Sequence, residues 1–373
     1  MATLAISMAS IEWGLTACEA DSCVFHLHRK VNTPSGPRQE VLLVGCYVDD
    51  LFILHSHDDE YSLYHQFTKA LQQRWDVDDE GPVSDLLNIE ILKQDNKVML
   101  RQTGYIEKMV KEWLPDGVPS NIQINSTPHD DDLRTHVLDA VSLTDPVDTT
   151  LLRKYQSLVG GLLYAATNTR PDIAFSVGLL CRAMSKPTPE LFNAALRVLG
   201  YLYRHRHIGL CYEASPESLS GMTDADWAVK HSTSGYVFTL AQAAISWSSK
   251  RQPTIALSSC EAEIMAASEA AKEAVYLDRL CTELGFRTDS EPIHLSCDNR
   301  AAIDSAYNPE NHARTKHIDR RHYFIRELVE DGEIVVPFVP TEENLADFFT
   351  KPLKAAKFFP VRDKIMNVFQ GGK

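Results

Sequence analysis

The sequence predicts a mixed fold, α/β and α+β, with two strand-rich regions joined by a mainly helical middle. Three observations predict it. Paired apolar runs flank a tight acidic turn within residues 41–54, apolar residues recur at helical spacing across 155–203, and from residue 219 short strands alternate with helices.

The first element is read from Val41-Leu42-Leu43-Val44-Gly45-Cys46, which runs into Tyr47-Val48-Asp49-Asp50 and then Leu51-Phe52-Ile53-Leu54. Two apolar strands about a tight turn make a β-hairpin with Asp49 and Asp50 at its tip. By itself an Asp-Asp pair in a turn is a weak signal, because turns favour aspartate. Residues 126–150 differ: Asp130, Asp131, Asp132, Asp139, Asp145 and Asp148 stand against the single Arg134, with no long apolar period. An exposed linker or a loop with little fixed structure is expected there.

Across the helical middle, Leu162, Leu163 and Ala166, followed by Leu196, Leu199 and Leu202, read as core positions. Arg197, Arg204 and Arg206 with His205 and His207 form a basic patch open to two readings, a phosphate contact or a solvated helix end.

Beyond it, Asp224 closes a strand over 219–224, and hairpin-like strands follow at 236–240 and 244–248, rich in aromatic and β-branched residues. Residues 258–284 read as one long helix with Ser258 as its N-cap. An alternating strand over 292–297 ends at Asp298, before a helix over 299–307. A helix over 317–330, a strand over 333–339 and a closing helix opened by Asp347 complete the order. At that helix start the dipole favours a carboxylate.

Asp224, Glu263, Asp298 and Asp347 thus fall at strand ends or on a helix face. Carboxylates brought together from separate segments repel unless divalent cations neutralise them, which makes all four candidate metal ligands. Glu261 and Glu263, two apart on one helix, face nearly opposite ways. Glu263 shares its stripe with Ala267, Ala270 and Ala274, whereas Glu261 shares one with Met265, Ser268 and Lys272. Small residues let a helix lie close on a sheet, so Glu263 is expected inward and Glu261 on a more solvated side. Asp224 or Asp347 alone would more often be a cap; the conjunction of four favours metal. Asp226 reads as a solvated turn residue.

With its element order, the region resembles ribonuclease H, and more narrowly the ribonuclease H domain of copia-type LTR retrotransposon Pol polyproteins. The resemblance is carried by Ser232-Thr233-Ser234-Gly235-Tyr236-Val237-Phe238, Ile245-Ser246-Trp247, Ser258-Ser259 before Glu261-Ala262-Glu263, Cys297-Asp298-Asn299, Arg314-Thr315-Lys316-His317-Ile318-Asp319 and Phe349-Thr350-Lys351-Pro352-Leu353. It implies a mixed five-stranded sheet with helices. It also implies catalysis by Asp224, Glu263, Asp298 and Asp347 with two Mg²⁺ ions, Mn²⁺ being an alternative, on the RNA strand of an RNA–DNA hybrid. Many ribonuclease H relatives carry a flexible histidine shortly before the last aspartate. Here that stretch reads Val339-Pro340-Thr341-Glu342-Glu343-Asn344, and His317 reads as a helix-start residue rather than a substitute.

Likewise Tyr47-Val48-Asp49-Asp50 resembles the Tyr-x-Asp-Asp hairpin of reverse transcriptases, and Asp85-Leu86-Leu87-Asn88-Ile89-Glu90-Ile91 the strand after it, with Asn88 where a glycine is usual. The resemblance implies a partial palm in which Asp49 and Asp50 are polymerase remnants. A further aspartate and the fingers would lie in a missing polymerase half, available only from a longer polyprotein or a partner chain. Expected regions are therefore a partial palm at 1–115, an acidic linker and helical connection at 116–215, a ribonuclease H-like domain at 216–355 and a tail at 356–373. The alternative is a non-catalytic remnant that binds nucleic acid or protein.

Composition accords with this. The 373 residues, 44% hydrophobic, suffice for two cores. No apolar run is long enough to span a bilayer and no signal peptide is expected, so no membrane partner is anticipated. The resemblance implies no small-molecule cofactor and an intracellular location, in cytoplasmic virus-like particles or the nucleus. The eight cysteines are scattered without a Cys-x-x-Cys pair, which argues against a disulfide framework or zinc cluster. A net charge of −14 opposes nucleic-acid binding. From Gly221 onward, however, 18 basic residues face 22 acidic ones, and bound Mg²⁺ would offset the four ligands.

Overall fold

The computed structural model describes residues 13–144, 146–228, 231–287, 291–307 and 319–368. They fall into two compact units, one within 1–82 and 275–291, the other within 83–274 and 292–373. The Arg314-Thr315-Lys316-His317-Ile318 stretch lies outside the described residues.

The first unit is an antiparallel sheet in the order β1-β2-β3-β4: β1 (Thr16–Ala17), β2 (Val24–Thr33), β3 (Gly36–Tyr47) and β4 (Asp50–His55). One face is covered by α1 (Leu63–Arg74), whose Leu63, Phe67 and Leu71 pack with Phe25, Leu42 and Val44. Ser62 caps that helix, and the buried Glu40 carboxylate accepts from the Leu63 amide at 2.7 Å. The hairpin expected within 41–54 is present, with Tyr47 paired to Asp50 across a turn in which Val48 has φ +57°.

The second unit begins with β5 (Asp85–Leu86), β6 (Ile89–Gln94) and β7 (Lys97–Arg101), followed by α2 (Thr103–Trp113). The acidic stretch that reads as an unstructured linker instead carries α3 (Leu133–Ser142), which buries Leu133, Val137 and Ala140. Those residues recur at i, i+4 and i+7, so one turn-to-turn stripe suffices to dock the helix while its aspartates stay wet. Asp148, another of those acids, caps α4 (Thr149–Asn168) by accepting from the Thr150 amide at 2.8 Å. Then come α5 (Ala174–Cys181) and α6 (Pro189–Arg204), and β8 (Leu210–Glu213), which returns to β7. Arg204 and Arg206 of the basic patch are engaged with the Ile122 carbonyl and the Glu107 carboxylate at 3.0 and 3.1 Å, and His205 is buried.

The rest of the unit is built on a mixed five-stranded sheet in the order β11-β10-β9-β12-β13: β9 (Ser220–Asp226), β10 (Thr233–Leu240), β11 (Ala243–Arg251), β12 (Ile293–Ser296) and β13 (Ile334–Val335). β9 is central, antiparallel to β10 and parallel to β12. Around it are residues 259–274 of α7 (Ser259–Glu283), the remainder of which falls in the first unit, together with α8 (Arg300–Tyr307), α9 (Asp319–Glu330) and α10 (Ala355–Met366). β13 is shorter than the run over 333–339 suggests, continued only by a bridge between Cys297 and Phe338. Pro337 supplies no N–H to a ladder.

One hydrophobic core runs without a break from α4, α5 and α6 to Val237, Ala244, Phe348, Phe349, Phe358, Ile365 and Met366. The helical middle and the five-stranded sheet therefore share their interior, and α10 belongs to it. Within that core Arg170 is fully buried and donates twice to Asp172, at 2.9 and 2.6 Å, and the Tyr201 hydroxyl donates to the same carboxylate at 2.7 Å.

Candidate active site

Asp224 lies two residues from the end of the central strand, 3% exposed, with Gly235 opposite it on β10. That glycine is required by space: a Cβ there would fall 2.7 Å from Thr350 Cγ2 and 2.9 Å from Phe349 Cβ. The close approach brings in the five-residue 3₁₀ turn Leu345–Phe349, which carries Asp347 at 1% exposure. Asn344 caps the turn by accepting from the Ala346 amide and ties it to β9 by donating to the Thr223 carbonyl, both at 3.0 Å. The turn does not continue into α10, for Pro352 follows it and cannot extend a helix.

Asp298 follows β12 on the strand parallel to β9, so both aspartates emerge at the same sheet end. Glu263 comes from the second turn of α7, 6% exposed. Glu261 is equally buried rather than solvated, because it closes the helix start: its Oε2 accepts from the Leu257 amide at 2.6 Å while Ser258 Oγ accepts from the Glu261 amide at 3.1 Å. That reciprocal capping is the role of a glutamate three residues after a serine cap, and it leaves Glu263 as the glutamate that joins the cluster.

Potential ligand atoms fall into two groups, Asp224 with Asp298 and Asp347, and Glu263 with Asp298 and Cys297, all within 4.8 Å of one another in each group. Asp298 is common to both. Burial, then the neighbouring Asp347 and Asp298, raise the Asp224 carboxyl to about 6, against the pull of Thr350 and Lys351. Glu263 is pushed to about 9 by burial and by Asp224 and Asp298. Burial also raises the Cys297 thiol, so the oxygen donors are the useful ones. Glu263 Oε2 is buried with no hydrogen-bond partner. An orphaned carboxylate oxygen among carboxylates suits a hard divalent cation bound through oxygen.

Around this centre stand groups the sequence reading assigned no role. Thr350 Oγ1 donates to Asp224 Oδ2. Lys351 Nζ meets Asp347 Oδ1 at 2.6 Å, and Lys357 Nζ, from α10, meets Asp347 Oδ2 at 2.9 Å. Asp226, expected as a solvated turn residue, is paired with Arg134 of α3 at 2.6 Å. Thr350 and Lys351 lie within the Phe349–Leu353 motif; Lys357 and Arg134 carry no local signal, since their contacts join segments 10 and 92 residues apart.

Residues 33–123 match the model of the family described as reverse transcriptase (RNA-dependent DNA polymerase). The retrovirus-related Pol polyprotein from transposon TNT 1-94 of Nicotiana tabacum is 34% identical over 91% of this chain and 25% of its own length. A putative transposon Ty5-1 protein of Saccharomyces cerevisiae is 31% identical over 65% of this chain and 75% of its own length. The chain belongs to the Pol polyproteins of copia-type retrotransposons. It spans about a quarter of the length of the TNT 1-94 polyprotein. A ribonuclease H1 crystallised with an RNA/DNA hybrid is similar to it at 15% identity and a TM-score of 0.28, over 36% of this chain and 94% of that one; so slight a likeness carries no weight beside the sheet order.

The other acids that the sequence singles out are Asp49 and Asp50. Both are exposed at the hairpin tip of the first unit, and among the described residues neither joins a group of potential metal ligands. Among the described residues no helix is long and apolar enough to cross a membrane.

Proposed function

We propose that the chain is a retrotransposon ribonuclease H, cutting the RNA strand of RNA–DNA hybrids with two Mg²⁺ ions, attached to reverse-transcriptase sequence that does not extend a primer by itself. The observation that carries this reading is the convergence of Asp224, Glu263, Asp298 and Asp347 into two groups that share Asp298, with Glu263 Oε2 left without a partner.

Asp224, Asp298 and Asp347 would hold one ion, and Glu263 with Asp298 the other. Bound there, the ions would supply Lewis-acid stabilisation of the attacking and leaving oxygens of an in-line displacement. The chain's own groups set up that chemistry. Thr350 fixes one Asp224 oxygen, Lys351 and Lys357 fix Asp347, and the Ala225 amide donates to Glu263. Asp224, Asp347 and Glu263 are thereby oriented before any ligand arrives, which lowers the cost of assembling the centre.

Incubation of end-labelled RNA–DNA hybrid, duplex DNA and single-stranded RNA with the chain, in Mg²⁺ and in chelator, tests the reading. Cutting of the hybrid's RNA strand alone, only with metal, is expected. Folded protein that leaves the hybrid intact would favour the non-catalytic remnant.

A further inference from the structure

Beside the carboxylates lies a cluster of arginines short of anions. Arg182, just after α5, donates from Nη2 to the Thr233 hydroxyl at 2.9 Å, while its Nε is buried with no partner. Among the described residues it has no carboxylate within ion-pair distance. Burial, then Arg134 and Arg251, lower its guanidinium to about 10, and only Asp226 acts the other way. Asp226 is itself paired to Arg134. Arg182 thus feels two other arginines and a single aspartate that is already paired, in a chain whose net charge is −14.

A half-sequestered guanidinium without a counter-charge is unfavourable, and proteins pair or solvate such groups unless a ligand supplies the anion. The position says which anion. Thr233 is paired with Asp226 on one side and Arg251 on the other, so the cluster sits where β9, β10 and β11 meet, two residues past Asp224. Arg134 also donates to the carbonyl of Thr350, the residue whose hydroxyl holds Asp224. A polyanion threading to the carboxylates would pass the arginines.

We infer that Arg182, with Arg134 and Arg251, forms a binding site for a backbone phosphodiester of the nucleic acid strand that enters the carboxylate centre. The identity of the polyanion rests on the function proposed above; the anion site rests on the arginines. Phosphate contacts of this kind set register and orientation without reading sequence.

The test is Arg182→Met, which keeps much of the stem and removes the charge. Binding is read in chelator, by anisotropy of a fluorescein-labelled RNA–DNA hybrid across a range of NaCl concentrations, and stability by thermal melting. The variant is expected to melt higher than wild type, since an uncompensated cation is gone, yet to bind the hybrid several-fold more weakly with the salt slope reduced by about 1. Arg251→Gln, at an exposed position, is expected to weaken binding likewise and serves if Arg182→Met fails to fold. Hybrid affinity and salt slope unchanged in the variants would overturn the inference. So would a melting-point gain from inorganic phosphate that depends on Arg182 without any change in hybrid binding, which marks a small-anion site. Because no cutting is read, a wild-type chain that binds through these arginines but never cleaves would sink the ribonuclease reading and leave the anion site standing.

Discussion

Lys357 Nζ, on the helix that follows the last carboxylate turn, stands 2.9 Å from Oδ2 of Asp347, whose other oxygen is held by Lys351 at 2.6 Å. The deepest of the four acids is thus already neutralised from both sides by the chain itself. A divalent ion that binds Asp347 must share it with two ammonium groups.

Replacing Lys357 by methionine is therefore expected to have opposite effects with and without metal. In chelator the variant should melt lower, by an amount equivalent to less than about 1 kcal/mol because the lysine is partly exposed. Its gain on adding MgCl₂ should exceed that of wild type, since the competing cation is gone. Scanning fluorimetry with and without MgCl₂ reads both, and an equal gain in the two proteins would show that Lys357 does not compete.

Stability in chelator should fall as pH rises. Asp224 at about 6 and Glu263 at about 9 are raised above their ordinary values of 3.8 and 4.5. In that window the folded chain holds protons the unfolded chain has released, so the slope of stability with pH is negative. The contribution is complete below about pH 4 and lost progressively up to about pH 9. Melting curves from pH 5 to 9 should show the loss in chelator and a smaller one in Mg²⁺; the same slope in Asp224→Asn/Glu263→Gln would assign it to other groups.

Asp172→Ala should be the most damaging single change outside the site. It leaves Arg170, fully buried, without the carboxylate that takes two of its donors, and strands the Tyr201 hydroxyl. Breaking a buried pair from one side costs about 3–5 kcal/mol. Urea unfolding should show that loss, and a cost below about 1 kcal/mol would mean that water reaches Arg170.

A chain restricted to residues 216–355 should not fold alone. Such a cut removes α5 and α6 from the shared core and takes away Phe358, Ile365 and Met366. Poor solubility and a lost near-ultraviolet dichroism signal are expected, both restored by a chain spanning 103–368; a cooperative melt of the short piece would contradict the shared interior.

Much of this was legible because periodicity and strand-end residues are local signals. The strand–helix order from residue 219, the long helix of Glu263 and the Tyr47–Asp50 hairpin could all be read from neighbours in sequence. What escaped depends on partners far along the chain. The burial of Leu133, Val137 and Ala140 needs α5 and α6 to dock against, and a six-aspartate stretch masks so narrow a stripe. The capping role of Glu261 was open to reading, since Ser258-x-x-Glu261 is itself a helix-start signature. The grip of Lys357 on Asp347 was not, because it follows from how α10 packs, not from any motif.

The most direct measurement compares wild type with Asp298→Asn on one labelled RNA–DNA hybrid in Mg²⁺. Asp298 belongs to both ligand groups, and the change removes its charge with little change of shape. Cutting by wild type and none by Asp298→Asn, with both proteins folded, is the expected result. Equal cutting by the two would place the activity elsewhere and contradict the assignment of these four carboxylates.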